Sequence, residues 1–372
     1  MIKYVNKFYW DTIIHQGEKM NKNGLELLSK YRKVIMGFAA LWILVFHEWQ
    51  MLSTPGTTAY EVEWYIKYIG FCGVEIFFVL SGIGMSYALK KERLLRFYYN
   101  RIKRVFVPFL VIASIIATVD HWELKVFFNK IFGISFYTVN MYSFLWFVPS
   151  ILSFYLVLPL YYRLFIRAKN KIAFTGCVLG IWLLASMLLN GTLRGDLYGF
   201  TNRIPIFIIG ILLGWIAQNK KITFNRSVWS FLVVTFVVGL YLAYQTSKLG
   251  MFILVPVSNC CIPNILIATS LPFLLAKGLE LLTRNKRTAY IEKVIVKALG
   301  FIGMISLEFY CVQEWMAEKF LQGFLVTYGK MGANIIMLLT VATSGFVLYD
   351  IGKLIAAIPE KLISRRNTQK KQ

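Results

Sequence analysis

The sequence predicts an all-α protein that crosses a membrane about ten times, with both ends of the chain in the cytoplasm. Of the 372 residues, 58% are hydrophobic and only 16% are charged, and the mean hydropathy is +0.60. A soluble chain is roughly 45–50% apolar and about 25% charged. A third observation sets the topology: the basic residues crowd into alternate loops.

Ten apolar stretches approach the roughly 20 residues that a helix needs to cross a bilayer. They cover 34–53, 67–89, 104–119, 143–165, 171–190, 203–218, 227–245, 252–276, 295–322 and 333–357. The ninth stretch is longer than one crossing requires and contains Gly300 and Gly303, so we expect a break near these glycines.

Lysine and arginine occupy the N-terminal arm, every second loop and the C-terminal tail, whereas the loop 54–66 has neither. Cytoplasmic loops carry an excess of these residues. The alternation therefore predicts cytoplasmic termini and an even number of spans. It also divides the chain into a cytoplasmic arm (1–33), a membrane domain (34–357) and a basic cytoplasmic tail (358–372).

The net charge of +23 raises nucleic acid as a partner. The basic residues lie in short loops between apolar segments, which favours a lipid bilayer as the partner and argues against nucleic acid. The five cysteines are scattered without metal-binding spacing, so no metal site is expected. Residues 1–30 are polar, and no cleaved signal peptide is expected.

Several spans contain ionisable residues, and three of these residues are candidates for catalysis. His47 is thirteen residues into span 1, roughly 20 Å from the cytoplasmic side, and Glu75 and Glu308 are expected at a similar depth. A histidine oriented by a carboxylate can remove a proton from a hydroxyl. The alternative is that His47 marks the membrane interface. Glu48 is a poorer partner, because neighbouring residues on a helix do not face each other.

Residues 73–110 combine two features. Ser81 and Gly82 belong to a small-residue stretch that permits close approach of a helix or a ligand. A basic loop follows, with Arg96, Arg101, Lys103 and Arg104. It is either an ordinary cytoplasmic loop or a site for phosphate groups, which arginine binds in bidentate fashion.

Six segments occur in an order that resembles the membrane-bound acyltransferase 3 family. They are GFAALWILVFH, GVEIFFVLSG, FYYNRIKRVFVP, LWFVPSILSFYLVLPL, RIPIFIIGILLG and SLEFYCVQEW. The resemblance implies about ten spans in the inner (plasma) membrane. It implies transfer of an acyl group, commonly acetyl, from cytoplasmic acyl-CoA to a hydroxyl of a cell-surface glycan or its lipid-linked precursor. No extracytoplasmic hydrolase-like domain is expected, and no bound cofactor.

The resemblance assigns roles to individual positions. Catalytic candidates are His47 as general base, Glu75 and Glu308. Candidates for binding acyl-CoA are Arg32, Arg96, Arg101, Lys103, Arg104, Ser81 and Gly82. Candidates for binding the acceptor are Trp146, Arg203 and Gln313.

Two positions depart from the family's pattern. The family usually has an arginine eleven residues before the histidine, where this chain has Met36; Arg32, one turn earlier, or Lys33 can supply the charge. A later histidine is replaced by Gln313, which can bind a sugar but cannot relay a proton. These departures keep an inactive scaffold of an envelope-polymer complex as an alternative. A flippase for a lipid-linked glycan is the other alternative, because it also needs intramembrane carboxylates.

Overall fold

The computed structural model describes residues 24–139, 145–188, 198–220, 222–248 and 261–369, and no β-strand occurs among them. The first helices are α1 (Gly24–Lys30), α2 (Arg32–Glu48), α3 (Thr58–Tyr68), α4 (Cys72–Lys91), α5 (Leu94–Arg101), α6 (Val107–Val119), α7 (Leu124–Ile131) and α8 (Ile134–Thr138). They are followed by α9 (Phe147–Arg167), α10 (Lys171–Leu188), α11 (Tyr198–Thr201), α12 (Ile204–Asn219), α13 (Arg226–Lys248), α14 (Cys261–Leu282), α15 (Lys286–Met304) and α16 (Ser306–Gln369). A 3₁₀ turn, Ile69–Phe71, joins α3 to α4, and a π-helical turn, Ile102–Phe106, joins α5 to α6.

Seven stretches of the described chain are long and apolar enough to cross a membrane. They are Thr58–Lys91, Leu94–Val119, Phe147–Arg167, Lys171–Leu188, Arg226–Thr246, Ile262–Leu282 and Ser306–Ala356. A shorter apolar helix is Ile204–Asn219. The predicted all-α membrane class is confirmed. The count of ten spans and the cytoplasmic termini stay predictions, and much of the predicted arm, 1–23, lies outside the described residues.

The predicted ninth span is two helices. Helix α15 ends at Met304 and α16 begins at Ser306, and Ile305 between them has φ −101° and ψ 16°. The break lies two residues after Gly303, close to the predicted position. As a result Glu308 lies in the first turn of a new helix.

Helix α16 reverses direction at Gly329, whose φ of 65° and ψ of −179° are not helical. Glycine reaches positive φ without the steric cost that a side chain imposes. After the reversal, a Cβ at Gly345 would meet the backbone of Phe309 at 3.2–3.3 Å, whereas 36 residues of straight helix would span about 54 Å. The two arms, before and after Gly329, therefore lie side by side.

A pair of glycines allows one of the closest helix contacts. A Cβ at Gly37 of α2 would overlap the carbonyl oxygen of Leu299 in α15, and one at Gly303 would overlap that of Lys33. Helices in lipid associate through small residues because close backbone approach maximises van der Waals contact. The crossing fixes α2, which carries Arg32 and His47, against the end of α15, just before α16 begins.

Candidate active site

A cavity of about 670 Å³ lies between α2, α4, the turn between α5 and α6, α9 and both arms of α16. Its volume is within the range of roughly 300–1,000 Å³ that is usual for small-molecule sites. Apolar side chains such as Val74, Phe77 and Ile151 form much of its wall. The cavity can therefore enclose a ligand with both an apolar and a charged part.

The charged residues in the wall of the cavity are mostly basic. Among the described lining residues there are five cations and one carboxylate, that of Glu308. The cations are Arg32, Arg101, Lys103, Arg104 and Lys353. Such a wall attracts anions, and arginine in particular matches the oxygens of a phosphate group.

Glu308 and Lys353 lie at different heights in the cavity. Gly345 packs against Phe309, the residue after Glu308, and Gly352, the residue before Lys353, packs against Pro108. The eight residues from Gly345 to Lys353 span about 12 Å of helix. Glu308 therefore lies well above the basic turn that precedes Pro108, although it remains within electrostatic reach of Arg104.

Arg32 is fixed inside the cavity by the backbone of α4. Its Nη2 donates a hydrogen bond to the carbonyl oxygen of Leu80 at 3.0 Å. A Cβ at Gly84 would lie only 2.9 Å from the same nitrogen, so the guanidinium rests on this glycine. Met36, one turn further along α2, also lines the cavity.

One short segment at the π-helical turn supplies three of the cations. Arg101, Lys103 and Arg104 all line the cavity, and the turn spans Ile102–Phe106. A π-helical turn inserts an extra residue into the helical repeat and is frequent at functional sites.

His47 lies just beyond the cavity, near the end of α2. Ile43, one turn before it, lines the cavity, and four residues of helix rise about 6 Å. The His47 side chain is 30% exposed, and its Nε2 lies 3.5 Å from Oε1 of Glu314. Glu314 also lies one helical turn beyond the cavity, because Tyr310, one turn before it on α16, lines the wall.

The loop after His47 is tied to α3. Glu63 accepts three hydrogen bonds of 2.8 Å, from the Trp49 indole and from the backbone N–H groups of Leu52 and Ser53. Asn334, on the second arm of α16, exchanges two hydrogen bonds with the backbone of Gln50. Both contacts fix the chain that leaves His47, so the histidine is on a supported part of the fold.

A second polar cluster is buried between α4, α12 and α14. Oε1 of Glu75 lies 3.0 Å from Nη2 of Arg203 and accepts a hydrogen bond of 3.3 Å from Asn264. The Arg203 guanidinium lies 5.1 Å from the centre of the Trp146 ring, a cation–π distance. Oε2 of Glu75 has no hydrogen-bond partner among the described residues.

Gln313 is fully buried on the first arm of α16. Within the described part of the chain neither its side-chain oxygen nor its side-chain nitrogen has a hydrogen-bond partner. Leaving a buried amide unpaired costs free energy. Its position, three residues after Tyr310, places both side chains on one face of the helix.

A family model for an acyltransferase domain matches residues 34–350, which is most of the chain. The chain belongs to the acyltransferase 3 family. The resemblance seen in the six sequence segments is thereby confirmed, and the protein is a membrane acyltransferase. Neither a search of curated proteins nor a search of solved structures found a match for the chain.

The acyltransferase brings together most of the residues predicted to bind the donor. Those that line the cavity are Arg32, Ser81, Arg101, Lys103 and Arg104. The other two do not line it. Arg96 is exposed on α5, and a Cβ at Gly82 would overlap the Phe207 carbonyl oxygen, so this glycine serves the contact between α4 and α12.

Met36 occupies the position where the family usually has an arginine. Arg32, which the sequence predicts as a substitute for that arginine, lies in the wall of the cavity. Arg32 and Met36 both line the cavity, whereas Lys33, the second candidate, is exposed and does not. The cation is thus displaced by one helical turn but still enters the same cavity.

The three predicted catalytic residues do not converge on one pocket. Glu308 lines the cavity, Glu75 pairs with Arg203, and the carboxylate next to His47 is Glu314. The sequence predicts the position of each residue along its helix, but it does not give the direction in which each side chain points. Glu314 was overlooked although it is a further carboxylate in the same apolar segment. No cluster of three metal-ligating side chains occurs in the described residues.

Proposed function

We propose that this acyltransferase transfers an acyl group, acetyl in the simplest case, from cytoplasmic acyl-CoA to a hydroxyl of a cell-surface polysaccharide or its lipid-linked precursor. The observation that supports this most strongly is the cavity: it is lined by five cations and ends one helical turn from His47. The proposal places the protein in the plasma (inner) membrane with both termini cytoplasmic.

In this proposal the donor enters from the basic side of the cavity. Arg101, Lys103 and Arg104 bind phosphate groups of CoA, and Arg32, held by the Leu80 carbonyl, binds further along. The pantetheine arm follows the apolar wall upward past Ser81. Glu308, higher in the cavity, faces the part of the donor near the thioester rather than the phosphates.

The chemistry is a general-base acyl transfer. A ring nitrogen of His47 takes the proton from the acceptor hydroxyl while its oxygen attacks the thioester carbonyl carbon. The C–S bond breaks, the electron pair leaves with sulfur, and the proton passes from the imidazolium to the thiolate to give CoA. The new C–O bond completes the ester. His47 and Glu314 are 30% and 44% exposed, so an acceptor can reach the histidine from the face opposite the basic turn.

The acceptor in this proposal also contacts Gln313 and the cluster that contains Trp146 and Arg203. The Trp146 ring can pack against a sugar face, and Gln313 has unpaired amide atoms among the described residues. Glu75 holds Arg203 in position at 3.0 Å. Tyr310 lies between this cluster and the pair formed by His47 and Glu314, because it is within electrostatic reach of both Arg203 and Glu314.

The test is acyl-CoA hydrolysis and acyl transfer by the purified, detergent-solubilised protein. Wild type is expected to release CoA slowly to water, and His47→Gln is expected to lose this activity while its melting temperature still rises with acyl-CoA. His121→Asn is the matched control, because His121 is exposed, lies outside the cavity and has a positive φ of 52°, which asparagine tolerates.

Two outcomes would overturn the proposal. A His47→Gln protein that folds and keeps full transfer activity would remove the base from the mechanism. A wild-type protein that neither binds nor turns over acyl-CoA would favour the flippase or the scaffold. Labelled acetyl trapped on His47 without acceptor would replace the general base by an acyl-histidine intermediate.

A further inference from the structure

His47 has one carboxylate within ion-pair distance among the described residues. Its Nε2 and Oε1 of Glu314 lie 3.5 Å apart. Neither Glu75 nor Glu308 serves this purpose, because the first is bound by Arg203 and Asn264 and the second lies one and a half helical turns below Glu314 on α16. The carboxylate that faces the imidazole is therefore one that the family motifs in the sequence did not indicate.

The other charged groups around His47 are arranged differently. Lys67 of α3 is within electrostatic reach of His47, but its ammonium donates a hydrogen bond of 2.7 Å to the Trp49 carbonyl oxygen. Glu48, the next residue along α2, borders a small apolar pocket with Asn334 and Leu338. Among the described groups, only Glu314 is placed to hold the Nε2 side of the ring.

Glu314 is itself held by its neighbours on α16. The Trp315 indole donates a hydrogen bond of 3.1 Å to Oδ2 of Asp120, and Nζ of Lys319 lies 2.9 Å from Oδ1 of the same carboxylate. Asp120 directly follows the end of α6. It thereby fixes the part of α16 that carries Glu314, much as Asn334 and Glu63 fix the chain after His47.

We infer that Glu314 is a positioning residue for His47. Its carboxylate lies against the Nε2 side of the imidazole at 3.5 Å and orients the ring so that Nδ1 takes the proton of the acceptor hydroxyl. It also stabilises the imidazolium that forms during the transfer. This inference rests on the proposed function, because it assigns a partner to the base of that mechanism.

The main test compares Glu314→Gln with Glu318→Gln, a matched control one turn further along the same helix and exposed. For Glu314→Gln, kcat should fall about 10- to 100-fold with the KM for acyl-CoA unchanged. The acid limb of the pH–kcat profile should move to lower pH, because the imidazolium loses its counter-charge. Glu318→Gln should leave both unchanged. Glu314→Asp should recover part of kcat.

A double variant distinguishes positioning from a general structural effect. If the two residues act as one unit, His47→Gln/Glu314→Gln should be no less active than His47→Gln alone. Additive losses, or an unchanged kcat and pH profile in Glu314→Gln, would overturn the inference.

The inference can also be tested by an NMR titration, which does not require acyl-transfer activity and so remains valid if the proposed function is wrong. The chain has three histidines, so the His47 signal can be assigned by its loss in His47→Gln. In labelled protein, the NMR titration midpoint of His47 should move to lower pH in Glu314→Gln and stay in place in Glu318→Gln. A midpoint that does not respond to Glu314→Gln would show that the carboxylate does not act on the ring.

Discussion

Glu75 and Arg203 form a buried ion pair that joins α4 to the start of α12. Their Oε1 and Nη2 atoms lie 3.0 Å apart, and the side chains are 3% and 12% exposed. Breaking such a pair leaves a buried charge without compensation, at a cost of about 3–5 kcal/mol. Glu75→Gln is therefore expected to lower the melting temperature of the detergent-solubilised protein sharply.

The control for this pair is the double variant Glu75→Gln/Arg203→Gln. It removes both charges, so it should be more stable than Glu75→Gln alone. If Glu75→Gln has the same melting temperature as the wild type, the ion pair contributes nothing to stability. A double variant that regains stability but not transfer activity would separate the structural role of the pair from its role at the acceptor.

Arg32 is expected to bind the donor in place of the arginine that Met36 replaces. Arg32→Gln should raise the KM for acyl-CoA about tenfold, because one charge-assisted contact to an anion is lost. Lys33→Gln, which alters an exposed neighbour outside the cavity, should have little effect. The measurement is KM, together with the melting shift that acyl-CoA produces.

The swapped variant Arg32→Met/Met36→Arg tests the same idea in reverse. Both positions line the cavity, so the moved guanidinium should restore much of the affinity for acyl-CoA. An Arg32→Gln protein with wild-type KM would show that the donor does not depend on this residue.

Gly82 is expected to be required for the packing of α4 against α12. A Cβ there would overlap the Phe207 carbonyl oxygen and lie 3.0 Å from the Cα of Gly210. Gly82→Ala should destabilise the protein by about 1–3 kcal/mol, since the helices must move apart. Gly180→Ala is the control, because nothing lies within 4 Å of a Cβ at that position. Equal melting temperatures would contradict the packing role.

Asp120 gives the fold a stability that depends on pH. Hydrogen bonding to Lys319, and then to Trp315, holds the pKa of the Asp120 carboxyl below its ordinary value. A lowered pKa in the folded state means that the carboxylate stabilises the fold above its unfolded pKa, about 3.9. This stabilisation is lost as the pH falls through the folded value.

The corresponding measurement is the melting temperature between pH 7 and pH 3. Asp120→Asn should melt below wild type near neutral pH, and the difference should shrink below about pH 4. Glu123→Gln, an exposed neighbour, serves as the control for a general loss of negative charge. A constant difference across the whole range would argue against the ionised contact.

The fold class and most of the basic residues that line the cavity could be predicted from the sequence. Apolar length and loop charge are local properties, so the helices and the break near Gly303 were readable residue by residue. Arg101, Lys103 and Arg104 were grouped because they are neighbours in the chain. The reversal at Gly329 falls between the last two predicted spans, 295–322 and 333–357.

The tertiary structure alone decided which ionisable groups meet. The sequence predicts a similar depth for His47, Glu75 and Glu308, but each has a different environment in the structure, because the rotation of each helix about its axis follows from packing at contacts such as Gly37–Leu299 and Gly82–Phe207. The same packing sends Arg96 away from the cavity and brings Lys353 into it. The sequence thus determined the all-α membrane class and the helices that carry the ionisable groups, because apolar length is a local property. The direction of each side chain, and hence the pairing of His47 with Glu314, required the assembled helices.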